Sequence, residues 1–273
     1  MQQGPIAVFD SGYGGLTVLD KIRQHLPQYD YIYLGDNART PYGTRSFEVV
    51  YEYTLQAVQK LFDMGAYLVI LACNTASAKA LRSIQQRDLP HIDPAKRVLG
   101  VIRPSVEFVG KQTISQHVGI FGTVGTVQSD SYPLEIAKLF PGITVVQEAC
   151  PMWVPLVENN EFEGEGADYF VRKNINHLLG KDSLIDTIIL GCTHYPLLEK
   201  KIQQFLPANI KVLSQGEIVS KSLSDYLYRH PEMEEKCSTG GNVHFFTTES
   251  VEKFRQTAGV FFKGALNVEH LSL

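Results

Sequence analysis

Short apolar runs alternate along this chain with longer segments in which apolar residues recur every three or four positions. Short runs rich in β-branched residues are typical of buried strands, and the longer recurrence is typical of amphipathic helices. The runs predict strands at residues 5–9, 31–34, 68–72, 97–102, 117–121, 144–147 and 210–213, and another at the start of residues 187–198. This alternation predicts an α/β fold with mostly parallel sheets.

Helical periodicity fills most of the intervals between these runs. It predicts helices at residues 16–26, 47–62, 76–87 and 166–179, and one more from Glu217 onwards. Ser46 is a favourable N-cap for the second helix, and Gly65 ends it. Further strand and helix patterns follow a charged stretch at residues 231–236.

Two stretches share one arrangement of strand, cysteine and helix. Residues 68–78 read LVILACNTASA, and residues 187–198 read TIILGCTHYPLL. In both, an apolar strand ends in a small residue and a cysteine, polar residues follow, and a helix begins. Cys73 and Cys192 therefore occupy equivalent corners of two similar units. A single buried cysteine is more often an inert small hydrophobe, but two in matching contexts favour a functional pair.

The middle of the chain repeats the pattern of its opening. The sequence IAVFDSGYGG near the start has a counterpart at residues 118–126, where a strand leads into Gly122 and Thr123. We therefore predict two similar doubly wound domains with the active site in the cleft between them. The first comprises residues 1–98 and 215–273 and carries Cys73, and the second comprises residues 99–214 and carries Cys192.

Composition restricts the partners and the compartment. The chain has 273 residues, 44% of them hydrophobic, so it can bury a sizeable core. A formal charge of -4 and a pI near 6.1 argue against nucleic acid as a partner. We expect no membrane association and a cytoplasmic location, because no signal segment or membrane-spanning run is visible. Four dispersed cysteines are then expected to be thiols, with Cys150 and Cys237 structural.

Polar and nucleophilic residues follow the predicted strands. In parallel sheets, ligands bind beyond the carboxyl ends of the strands, where loops and helix N-termini converge. The residues expected there are Asp10, Ser11, Asp36, Cys73, Asn74, Thr75, Thr123, Cys192, Thr193 and His194. Helix N-termini beside the cysteines favour an anionic ligand such as a carboxylate and lower a thiol pKa.

Two thiols facing each other across a cleft are suited to inverting a carbon acid. One removes a proton from one face of the carbon, and the other supplies a proton to the opposite face. Such chemistry needs thiol pKa values near neutrality, which a carboxylate and imidazole network or a helix terminus favours. In this hypothesis Asp10 assists Cys73, and His194 assists Cys192.

Other functions stay open on the residues alone. A zinc site could use Cys73, Cys192, His194 and Asp10, although the close ligand pairs of structural zinc are missing. A dinucleotide or thiol-redox protein is disfavoured, because the opening glycines lack the GxGxxG spacing and no Cys-x-x-Cys occurs. A protein that only binds an amino acid is a further alternative.

Four motifs resemble those of the cofactor-independent glutamate racemases of the aspartate/glutamate racemase superfamily. They are FDSGYGGLTV at residues 9–18, YLGDNARTPYG at 33–43, ACNTASA at 72–78 and LGCTHYPLL at 190–198. The resemblance implies racemisation of glutamate without a cofactor or a metal, supply of D-glutamate for peptidoglycan, and a homodimer. An aspartate racemase is the nearest alternative.

The resemblance also implies roles for individual residues. Cys73 and Cys192 would be the two acid/base residues, supported by Asp10, His194 and Glu158. The implied substrate contacts are Asp10, Ser11, Pro41, Tyr42, Gly43, Asn74, Thr75, Thr123, Thr193 and His194. Three segments depart from the family pattern. Asn37 replaces a more usual threonine, residues 103–105 (RPS) replace an acidic residue, proline and glycine, and residues 214–216 (SQG) replace Asp-Ser-Gly.

Overall fold

The computed structural model describes residues 3–273 and contains two β-sheets surrounded by helices. The strands are β1 (Ile6–Asp10), β2 (Tyr31–Gly35), β3 (Leu68–Leu71), β4 (Arg97–Gly100), β5 (His117–Gly122), β6 (Thr144–Ala149), β7 (Thr187–Gly191), β8 (Lys211–Leu213), β9 (Val243–Thr247) and β10 (Val268–His270). The helices are α1 (Leu16–His25), α2 (Phe47–Asp63), α3 (Asn74–Lys79), α4 (Leu81–Ser83), α5 (Leu89–Ile92), α6 (Ile102–Val109), α7 (Val124–Gln128), α8 (Ser131–Leu139), α9 (Trp153–Glu158), α10 (Glu165–Lys181), α11 (Glu199–Phe205), α12 (Gln215–Arg229), α13 (Pro231–Glu234) and α14 (Val251–Ala258). A π-helical turn, Ile84–Asp88, follows α4, and a 3₁₀ helix, Tyr195–Leu198, precedes α11.

The two sheets share a strand order. The first runs β10-β9-β2-β1-β3-β4 and the second β6-β5-β7-β8, with parallel pairing throughout both. The first four strands of each sheet in chain order therefore follow one scheme, second-first-third-fourth. The predicted α/β fold class with parallel sheets is confirmed. We call the parts built on the first and second sheets the first and second lobes. The domain boundaries at residues 98/99 and 214/215 stay a prediction.

Alternation along the central strands builds a core on both faces of each sheet. In β1, Ile6 and Val8 enter one buried apolar cluster, whereas Ala7 and Phe9 enter another. This is the two-residue period of a strand covered on both sides. The first cluster also contains Ile188 of β7, so the two lobes share an apolar core.

Several predicted boundaries differ from the structure. The helix expected at residues 76–87 begins two residues earlier at Asn74, because the Cys73 side chain caps it, and it is divided into α3, α4 and the π-helical turn. The strand expected at residues 97–102 ends at Gly100, and Ile102 already begins α6. The helix expected from Glu217 begins at Gln215.

The chain passes between the lobes at two places. It leaves the first sheet after β4, just before α6, and it leaves the second sheet after β8, just before α12, which packs against α1 and α6. Strands β9 and β10 then extend the first sheet at one edge. Among residues 3–273, no helix is both long enough and apolar enough to cross a membrane.

Candidate active site

Cys73 lies in the first lobe, immediately after β3, and its side chain is 6% exposed. Its Sγ accepts a hydrogen bond from the backbone N–H of Ala76 at 3.4 Å, as an N-cap of α3. The hydroxyl of Ser11, from the loop after β1, lies 3.4 Å from the same sulfur. The immediate neighbours of this thiol are therefore neutral hydrogen-bonding groups.

Cys192 lies in the second lobe, in the equivalent position after β7, and is also 6% exposed. Its Sγ is 3.8 Å from Nδ1 of His194. The Nε2 of His194 in turn lies 3.0 Å from the carboxylate of Glu158, at the end of α9. Cys192, His194 and Glu158 thus form a chain of sulfur, imidazole and carboxylate.

Asp10 ends β1 and is fully buried. Its carboxylate accepts the backbone N–H of Gly12 at 2.9 Å and the hydroxyl of Thr193 at 3.3 Å. Thr193 stands between Cys192 and His194 in the sequence, so Asp10 connects the first lobe to the loop that carries the second thiol. Asp10 acts on Cys73 through its charge, while Ser11 makes the hydrogen bond.

Three threonine hydroxyls join the lobes beside the cysteines. Thr75 lies 2.9 Å from Thr123 and 3.2 Å from Thr126, and these two are 3.1 Å apart. Close by, the backbone N–H of Gly125 donates to the carbonyl of Gly43 at 2.7 Å. The loop after β2 and the loop after β5 therefore meet at this place.

Residues of the loop at 36–43 differ in their contacts and in their exposure. Tyr42 is buried, and its hydroxyl donates to the carboxylate of Asp36 at 2.5 Å. Gly43 packs so closely on the second lobe that an added Cβ would lie 2.9 Å from Cβ of Thr123. Pro41 is exposed. Tyr42 and Gly43 thus support the loop contact.

The surroundings of the site raise the pKa values of Cys73, His194 and Asp10, for different physical reasons. Burial and the negative charge of Asp10 raise the pKa of Cys73 to about 12, against the hydrogen bonds from Ser11 and Ala76, which lower it. Burial by itself lowers the pKa of His194, but hydrogen bonds and charge from Cys192 and Glu158 outweigh it and raise the pKa to about 10. Burial also raises the pKa of Asp10, despite the opposing charge of His194.

The raised pKa of Cys73 differs from the expectation of a thiol pKa near neutrality. Cys73 is a neutral thiol at pH 7, because the desolvation penalty on its thiolate exceeds the stabilisation by the helix terminus. Among residues 3–273, no three His, Cys, Asp or Glu side chains converge as metal ligands would.

Comparison with known proteins places the chain in a family. The model of the Asp/Glu/hydantoin racemase family matches residues 14–220. The chain belongs to this racemase family. The resemblance seen in the four motifs is thereby confirmed.

Full-length relatives give a finer comparison within the racemase family. The chain is 39% identical to a glutamate racemase of a Ruegeria species over 97% of this chain and 98% of that protein. A glutamate racemase of Streptococcus agalactiae is 38% identical over the full length of both.

Solved structures of the family show the same fold. The glutamate racemase isoform RacE1 of Bacillus anthracis aligns with a TM-score of 0.91 at 34% identity, over 100% of this chain and 99% of that one. The Francisella tularensis glutamate racemase in complex with D-glutamate aligns with a TM-score of 0.88 at 31% identity, over 100% and 98%. An aspartate racemase of Picrophilus torridus, at 18% identity and a TM-score of 0.55 over 85% of this chain, shares the fold alone.

The racemase site contains residues that the sequence analysis missed. Phe261, after α14, packs the edge of its ring against His194, with centroids 5.2 Å apart. Thr126 completes the threonine cluster. Ser105, Tyr132 and Gln215 hold the side chain of Asn74 through a buried network. Ser105 and Gln215 both lie in segments that depart from the family pattern. These departures were the one sequence feature that pointed to the two residues.

Proposed function

We propose that this chain interconverts L- and D-glutamate by a two-base reaction at Cys73 and Cys192. The observation that carries the proposal is the placement of two cysteines at equivalent strand ends of two matching sheets, beside one buried polar site. The names of the full-length relatives support glutamate as the substrate.

The reaction is balanced by the two sulfurs alone. One thiolate removes the proton from Cα of glutamate and becomes a thiol, while the electron pair of the broken C–H bond delocalises onto the α-carboxylate. The carbon becomes planar. The other thiol then gives its proton to the opposite face and becomes a thiolate. The product is the other enantiomer, and the cysteine pair has gained one proton and lost one.

The asymmetry of the site supports an assignment of the resting state. The imidazolium of His194, with its pKa raised to about 10 by its neighbours against the effect of burial, stands 3.8 Å from Cys192 and stabilises negative charge on that sulfur. Cys73 is held neutral by burial. We infer that Cys192 is the base and Cys73 the acid when substrate first binds, and that the roles are exchanged for the opposite enantiomer.

The surrounding polar groups supply the remaining functions in this proposal. Glu158 holds His194 in its charged form, and Asp10 fixes the loop of the second thiol through Thr193. The substrate contacts proposed are those implied by the family: Asp10, Ser11, Pro41, Tyr42, Gly43, Asn74, Thr75, Thr123, Thr193 and His194.

The test is incubation of the purified protein with L-glutamate in deuterated water, followed by circular dichroism and chiral chromatography. We expect D-glutamate with deuterium at Cα, without any added cofactor. Aspartate is assayed in parallel, and equal turnover of aspartate would contradict the glutamate assignment. Binding of glutamate without turnover or exchange would indicate an amino-acid binding protein instead.

The biological setting is proposed on the same resemblance. We propose that the chain acts in the cytoplasm as a homodimer and supplies D-glutamate for peptidoglycan. Light scattering after gel filtration tests the dimer. Complementation of a bacterial strain that requires D-glutamate for growth tests the supply role.

A further inference from the structure

Two of the segments that depart from the family pattern meet in one buried network. Gln215 begins α12, and its Nε2 donates to Oγ of Ser105, on α6, at 2.8 Å. The Ser105 hydroxyl donates in turn to the carbonyl of Val101 at 2.7 Å. Gln215 and Ser105 stand beside the two places where the chain passes between the lobes. Their hydrogen bond therefore ties the two crossings together.

The same glutamine closes a ring of hydrogen bonds with Asn74 and Tyr132. The Asn74 amide donates to Oε1 of Gln215 at 2.6 Å, and Nε2 of Gln215 donates to the Tyr132 hydroxyl at 2.8 Å. The Tyr132 hydroxyl donates to Oδ1 of Asn74 at 2.7 Å. Each member of this ring donates to the next, and every one is at least 97% buried. Such a closed buried network fixes the orientation of its members.

Asn74 directly follows Cys73, so the ring fixes a side chain at the reacting centre. Its Nδ2 carries two N–H groups, and the ring uses one of them. Among residues 3–273, the second N–H has no hydrogen-bond acceptor and is therefore available to a ligand. We infer that Gln215 is a positioning residue, which orients the Asn74 amide toward the substrate and joins the two crossings between the lobes. This inference rests on the proposed function, since it assigns the residue that Asn74 needs in order to bind glutamate.

Gln215 suits this role because of its length and its two kinds of hydrogen-bonding atoms. A glutamine amide both accepts from Asn74 and donates to two hydroxyls, whereas the serine of the usual Asp-Ser-Gly pattern is shorter and has one hydroxyl. Ser105, which stands in place of the usual glycine, adds a hydroxyl acceptor 2.8 Å from Nε2 of Gln215, closer than the carbonyl of Val101 at 3.4 Å. The two departures thus act as one matched pair.

The first measurement tests the network without reference to activity. Gln215→Met keeps the length of the side chain and removes its hydrogen bonds, and Tyr132→Phe removes one hydroxyl of the ring. We expect the urea midpoints of the two single variants and the double variant to show clear non-additivity, since both break the same ring. Additive effects would overturn the network. Gln204→Met, at an exposed position on α11, is the control and is expected to leave the midpoint unchanged.

The second measurement tests positioning through KM and kcat for glutamate. We expect Gln215→Met to raise KM about tenfold, the loss equivalent to one oriented hydrogen bond, with a smaller change in kcat. In an Asn74→Ala background the same substitution is expected to change KM less than about twofold, because its effect passes through Asn74. Tyr132→Phe should raise KM in the same way and with the same dependence on Asn74. If Gln215→Met does not fold, Tyr132→Phe is measured in its place.

The outcomes separate this inference from the proposed function. A wild-type protein that does not racemise glutamate contradicts the proposed function. An active wild type with unchanged KM in folded Gln215→Met contradicts the positioning role. An equal rise in KM with and without Asn74 also contradicts it, since a merely structural effect of Gln215 would not depend on Asn74.

Discussion

Cys192 lies 3.8 Å from the imidazole of His194, and no comparable cation stands beside Cys73, whose hydrogen-bond partners in the described chain are Ser11 and Ala76. Two sites of equivalent topology therefore provide unequal surroundings for their thiols. An imidazolium, that of His194, stands beside Cys192, while burial keeps Cys73 neutral. The predictions below follow from this asymmetry and from the contacts that join the lobes.

Replacing either Cys73 or Cys192 with alanine is expected to lower racemisation at least about 100-fold, because each substitution removes one acid/base group. Chiral chromatography of glutamate measures the loss. Cys237→Ala is the matched control, since Cys237 is another buried thiol, hydrogen-bonded to the carbonyl of Met233, and its loss is expected to leave kcat near the wild-type value in the folded protein. Near-normal turnover by Cys192→Ala would defeat the two-base assignment.

Glu158→Gln is expected to lower the pKa of His194, because a carboxylate 3.0 Å from Nε2 is replaced by a neutral amide. The fall of kcat/KM at alkaline pH should then begin at least about one pH unit below the pH at which it begins in the wild type. A pH profile from 6 to 11 measures this shift. Glu161→Gln, just beyond the end of α9, is the control. An unchanged alkaline limb in Glu158→Gln would show that Glu158 does not maintain the imidazolium.

The free energy of unfolding is expected to fall as the pH rises above neutrality. The folded pKa of His194, about 10, lies above its ordinary value near 6.5. The folded state therefore holds this proton more tightly than the unfolded state. The contribution is complete below about pH 6.5 and is lost as the pH rises through about 10, with a slope of up to about 1.4 kcal/mol per pH unit. Cys73 acts in the same direction between about pH 8.5 and about pH 12.

Urea titrations at a series of pH values measure this dependence. The slope between pH 6.5 and 8.5 comes from His194 and should be reduced in His194→Asn, whereas Cys73→Ser should change only the part above it. If wild type and His194→Asn showed the same slope in the lower window, His194 would not carry a raised pKa.

Gly43→Ala is expected to weaken the contact between the lobes, because its Cβ would lie 2.9 Å from Cβ of Thr123 and the loops must move apart. A small displacement of the substrate-binding groups lowers kcat/KM on the order of 10- to 100-fold. Steady-state kinetics measure the change. Gly180→Ala, on α10 with no atom within 4 Å of the added Cβ, is the control. It should keep kcat/KM and add about 0.5–1 kcal/mol of stability. Wild-type kcat/KM in Gly43→Ala would show that this loop contact is not needed.

Much of the fold follows from local sequence patterns. The apolar runs that become β1, β3 and β7 are each buried along their whole length. Such runs, and the recurrence of apolar residues every three or four positions in the helices, are properties of neighbouring residues and are visible without any tertiary information. The predicted helix at residues 76–87 is divided into α3, α4 and a π-helical turn. The three- and four-residue recurrence of apolar residues does not mark this division.

The candidate site divides in the same way. Cys73, Cys192, Asp10 and His194 could be found because each follows a strand, and the carboxyl ends of parallel strands converge. The hydrogen-bond partners of Gln215 could not be predicted, because Asn74, Ser105 and Tyr132 are 141, 110 and 83 positions away. Nothing in a helix start such as SQGE indicates which distant amide it will hold.

The sequence by itself determined the elements of this protein, their parallel arrangement and the matched pair of cysteines, because these depend on residue type and short spacing. The tertiary structure decided which sulfur has a cation beside it and which is held neutral. The physical reason is that a pKa depends on desolvation and on charges brought from distant elements. Cys73 and Cys192 look alike in sequence, but the end of α9 brings Glu158 to His194, and His194 stands beside only one of them.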